Sequence, residues 1–90
     1  VKSLKDIEND VHEFLINLAN VRRVDVKSSV DSDNKNKVVA TTFILSDTKE
    51  NRHRVYLTEQ ILMERHKNVL FDFSISTLKE GHEQRSVESP

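Results

Sequence analysis

The chain has 90 residues, a net charge of −1, 36% apolar and 32% charged residues, one glycine, one proline and no cysteine. A chain of this length forms one domain that buries roughly 60–65% of its unfolded surface, without room for a deep cleft between two domains. So few glycines and prolines argue against a phosphate loop or a many-turned barrel. The lack of cysteine argues against a disulfide scaffold and for a cytoplasmic setting, and no apolar run nears the roughly 18 residues that span a bilayer.

Leu4, Ile7, Val11, Phe14, Leu15 and Leu18 recur every three or four residues, which predicts a helix over about residues 4–19. Ser3 followed by Asp6 gives it a capping-box-like start. From Val21 the period falls to two. Val24, Val26, Ser28 and Val30 share one side of a predicted strand, and Arg23, Asp25, Lys27 and Ser29 the other. The polar run Asp31 to Lys37 is the expected hairpin tip. A second strand, Val38 to Leu45, is apolar on both sides: Val39, Thr41, Phe43 and Leu45 on one, Val38, Ala40, Thr42 and Ile44 on the other. Such a strand is expected at the centre of a sheet.

Asp47 and Glu50 suggest the start of a second helix, with Val55, Thr58, Ile61, Leu62 and Arg65 along its stripe and Asn68 as a left-handed cap. A competing reading makes 52–57 a strand and starts a shorter helix at Thr58. Phe71, Phe73 and Ile75 alternate with Asp72, Ser74 and Ser76 in a third strand. The last twelve residues, 79–90, hold one apolar residue and are expected to be a disordered tail after a domain spanning 1–78.

These elements predict an α+β two-layer sandwich in the order α-β-β-α-β. Its three-stranded mixed sheet pairs strands one and two antiparallel and strands two and three parallel, with two helices on one face. The other face is expected to display Val38, Ala40, Thr42 and Ile44 as an interface for a homodimer or another protein.

Chemistry is sparse. His12, His53, His66 and His82 show no metal-ligand spacing, and no serine sits in a nucleophile elbow. No catalytic residue, cofactor, metal site or small-molecule substrate is predicted. Arg22, Arg23, Arg52, Arg54, Arg65 and Lys67 make the middle of the chain mildly basic. They are the contacts of an alternative reading, a nucleic-acid-associated protein using its second helix. A small metal-responsive domain is a third reading.

Val21-Arg22-Arg23-Val24, following the first helix and leading into the hairpin, resembles the cytoplasmic C-terminal domain of cation diffusion facilitator transporters over about residues 4–77. The element order also resembles the ring-building domain of secretion-system proteins. The transporter family's metal-binding histidines have no counterpart here, and Val69-Leu70-Phe71-Asp72-Phe73 lacks the family's usual histidine. Both families use this shape for self-association. The resemblance therefore implies a non-enzymatic interaction or regulatory module that self-associates through its sheet.

Overall fold

The computed structural model describes residues 3–78. Residues 1–2 and the segment 79–90, where a disordered tail is expected, lie outside the described residues. The elements are α1 (Leu4–Ile16), β1 (Val21–Val30), β2 (Asn36–Ile44), α2 (Lys49–Arg65) and β3 (Val69–Thr77). They form the expected α+β arrangement, with the sheet in the order β1-β2-β3. β1 and β2 are antiparallel and β2 and β3 parallel.

Helix α1 starts where Ser3 Oγ accepts the Asp6 amide at 3.2 Å. It ends earlier than its periodicity predicts. Asn17 is the C-cap, and its side-chain amide donates back to the Glu13 carbonyl at 2.7 Å. Asn20 then takes a positive φ of 69°, a backbone region that asparagine tolerates better than most residues. Leu18 still packs on the core from the turn.

Asp31 closes the hairpin. Its Oδ1 accepts the amides of Asp33 at 2.9 Å and Lys35 at 2.8 Å, and Asn34 supplies the positive φ of 64°. The turn is therefore shorter than predicted, and β2 begins at Asn36.

Residues 52–57 are helical, which settles the competing strand reading. The N-cap of α2 is Thr48 rather than Asp47, with the Asn51 amide bonded to the Thr48 hydroxyl at 3.1 Å. Asn51, Val55, Thr58, Glu59 and Leu62 form its buried stripe. His66 takes the C-cap, and its amide donates to the Leu62 carbonyl.

Both helices contribute to one core. Ile7, Val11 and Leu15 of α1 and Val55 and Leu62 of α2 join Val21, Val24, Val38, Ala40 and Ile44 of the sheet. Each of these side chains except the smaller Ala40 contributes roughly 1.5–3 kcal/mol by leaving water. Leu15→Ala, at a site with no exposure, is the sort of change that costs about 2–5 kcal/mol. No helix among the described residues is long and apolar enough to cross a membrane.

The register corrects the predicted interface. Val24 pairs with Thr42, Val26 with Ala40 and Ser28 with Val38, so the apolar face of β1 continues into the even-numbered side of β2. Phe71, Phe73 and Ile75 pair with Val38, Ala40 and Thr42 and join the same side. That side lies under the helices. Val38, Ala40, Thr42 and Ile44 are all fully buried there, so they hold the core together and offer no surface to a partner.

Candidate interaction surface

The open face of the sheet carries the odd-numbered side of β1 and β2 and the even-numbered side of β3. Cross-strand rows order it: Lys27, Val39 and Asp72 form one, Asp25, Thr41 and Ser74 the next, and Arg23, Phe43 and Ser76 the third. Lys37 neighbours Leu70 at the other end. Val39 and Leu70 are 36% and 48% exposed. Side chains in a row stand about 4.8 Å apart, so Lys27 and Asp72 flank Val39 from opposite edges.

Phe43 is half-buried on this face. The Arg23 guanidinium covers it, 5.0 Å from the ring centroid. Arg23 is fixed there by a two-pronged ion pair with Asp25, both contacts at 3.0 Å. The hydroxyls of Thr41 and Ser74 meet at 3.0 Å across β2 and β3. The face is thus a mixed surface, with Val39 and Leu70 as its most open apolar groups and ordered polar groups around them.

The six predicted nucleic-acid contacts do not converge. Arg52 pairs with Asp47 at the start of α2, and Arg54 with Glu50 at 3.5 Å. Arg65 binds Asp10 at 3.0 Å, and Lys67 lies 3.8 Å from Glu64 beyond the other end of α2. Arg23 is committed to Asp25, and Arg22 is exposed on β1. Phosphate binding at the five paired positions competes with carboxylates already in place.

One polar cluster was not visible in the sequence. His66 is buried, and its Nε2 lies 2.7 Å from Asp10 Oδ2. The ring stands beside Phe71, with centroids 6.2 Å apart. Arg65 Nε donates to the same Asp10 oxygen at 3.0 Å and stacks over Phe14. Burial pushes the Asp10 carboxyl up, but hydrogen bonds from His66 and Arg65, with the Arg65 charge, outweigh it and hold the group below its ordinary 3.8. An ionised carboxylate only accepts, so the imidazole donates from Nε2. The cluster ties α1 to the end of α2. No group of three or more metal-ligating side chains occurs among the described residues.

Glu59 is a charged residue on the buried side of α2. It is 7% exposed, and its Oε2 is buried without a hydrogen-bond partner. Burial pushes its carboxyl from 4.5 up to about 7. Its neighbours one turn away, Val55, Tyr56, Leu62 and Met63, carry no charge. That all-uncharged surround was the available sequence signal.

No protein-family model matches the chain, and no curated protein matches it. Solved structures do. A single-residue variant of MamM superposes with a TM-score of 0.61 at 11% identity, covering 88% of this chain and 99% of that one. A variant of the MamM-CTD gives 0.59 at 11% identity, covering 86% and 98%. At this identity the likeness is one of fold, and it establishes that the α-β-β-α-β arrangement occurs as a unit of this size in a solved structure.

Proposed function

We propose that this domain is a non-enzymatic protein-interaction or regulatory module that forms a homodimer through the open face of its sheet. The carrying observation is Val39, exposed in the centre of that face, with Lys27 on one side and Asp72 on the other. A twofold axis along β2 sets β1 of one copy against β3 of the other. Lys27 then faces Asp72 of the second copy, and Val39 faces Val39. An isologous interface needs this self-complementarity. The fold likeness to the MamM-CTD agrees with the transporter-domain resemblance read from the sequence, and that resemblance implies self-association.

Sedimentation of the 90-residue chain, with charge variants beside it, tests the reading. Lys27→Glu and Asp72→Lys should each weaken the dimer, and the two together should restore it. A wild-type chain that stays monomeric up to about 1 mM sinks the proposal, since weaker association has little functional value.

A further inference from the structure

Glu59 and its flanks on α2 form a second surface, separate from the open sheet face. Among the described residues, Glu59 carries the only carboxylate oxygen that is buried and unpartnered. Tyr56 and Met63, one turn to either side, are 52% and 38% exposed. The sheet offers Glu59 no cation: the helix-covered side of β3 presents Phe71, Phe73 and Ile75. Nor does α1: its Lys5 and His12 make no ion pair with Glu59, and its Asp10 is acidic and already holds Arg65 and His66. On α2 itself, Arg52 is bound to Asp47 and Arg54 to Glu50. A buried carboxylate with no counter-charge is costly, and two exposed apolar side chains beside it add to the cost of leaving the strip bare.

We propose that the Tyr56–Glu59–Met63 strip of α2 docks a partner segment bearing a lysine or arginine beside apolar residues. The aliphatic stem of that side chain lies along Tyr56 and Met63, and its cationic head donates to the Glu59 carboxylate. Tyr56 presents a ring face that also favours a cation. Charge complementarity selects this occupant: an apolar segment alone would seal an uncompensated carboxylate under it, and an acidic one would repel it.

The probe is n-butylammonium, which reproduces the lysine side chain, compared with 1-butanol. Both are titrated into the 90-residue protein at pH 8 and followed by amide NMR. The expected result is saturable shifts at Tyr56, Glu59 and Met63, with butylammonium favoured by about tenfold through its charge-assisted hydrogen bond. In Glu59→Gln that preference should vanish while the weaker butanol shifts persist, which shows the strip intact. Three results overturn the proposal. The probes shift nothing on the strip, or the preference survives in Glu59→Gln, or the same amides shift with protein concentration alone, which makes a second copy the occupant.

Discussion

His66, the C-cap of α2, donates to Asp10 of α1 across 2.7 Å, and this bond joins the two helices at a point where the imidazole has almost no contact with water. Removing Asp10 leaves that donor buried and unmatched. Asp10→Ala is therefore expected to cost about 1–3 kcal/mol, read as a lower urea midpoint at constant slope. Arg65→Ala removes a half-exposed partner of the same carboxylate and should cost about 1 kcal/mol or less. Equal losses from the two variants would contradict the assignment of His66 as the dominant partner.

The same carboxylate sets an acid limit. Its folded pKa is depressed below the ordinary 3.8, so the folded state prefers the ionised form. The stabilisation is present above the unfolded value and is lost as pH falls through the lower folded value. Denaturation curves from pH 5 to about pH 2 should show wild type losing stability faster than Asp10→Ala, the two converging at the acid end.

Glu59 works in the opposite direction. Its folded pKa is raised from 4.5 to about 7, so the folded state prefers the protonated form. The contribution of Glu59 to folding stability is greatest below 4.5 and declines as pH rises from there to about 7. The full decline is of order 3 kcal/mol. Glu59→Gln should flatten this slope and raise stability at pH 8, where the wild type holds an uncompensated charge. A slope unchanged in Glu59→Gln would mean that the carboxylate is solvated in the native protein.

Much of the fold was legible because local signals agreed. The period-three-to-four run from Leu4, the period-two runs from Val24 and Phe71, and the polar stretch at Asp31 give the element order without tertiary information. The face of β2 was also recoverable, from parity. Any hairpin loop with an odd number of residues puts even-numbered positions of β1 opposite even-numbered positions of β2. A tip of 31–37 already pairs Val30 with Val38; the observed pairing, Val30 with Asn36, has the same parity. Assigning Val24 and Val26 to the core therefore assigns Ala40 and Thr42 to it as well. What no local pattern contains is the meeting of Asp10 with His66, 56 residues apart. The position of Phe43 under Arg23 likewise follows only from the register.

That register separates two neighbouring residues experimentally. Ile44 is fully buried, so Ile44→Asp places a carboxylate in the core and should cost about 4 kcal/mol or more. The variant is expected to be unfolded or to aggregate. Val39 lies on the open face, where Val39→Asp should cost about 1 kcal/mol or less. Circular dichroism and sedimentation of the two variants should give an unfolded chain in the first case and a folded monomer in the second. A folded, cooperative Ile44→Asp would reverse the face assignment.

Thr42 tests the core from the inside. Its side chain is fully buried at the centre of β2, and its Oγ1 has no hydrogen-bond partner. The hydroxyl lost its water on folding without regaining a bond, while the methyl packs like that of valine. Thr42→Val keeps the shape and removes the unmatched group, so it should stabilise the domain by about 1–2 kcal/mol. Thr41→Val is the control. Thr41 sits on the other face, bonded to Ser74 through its hydroxyl, and should gain nothing or lose up to about 1 kcal/mol. Thermal melts of the two variants should therefore move apart, Thr42→Val upward. A destabilised Thr42→Val would place a buried water on Oγ1, since only a bonded hydroxyl at that site makes its loss unfavourable.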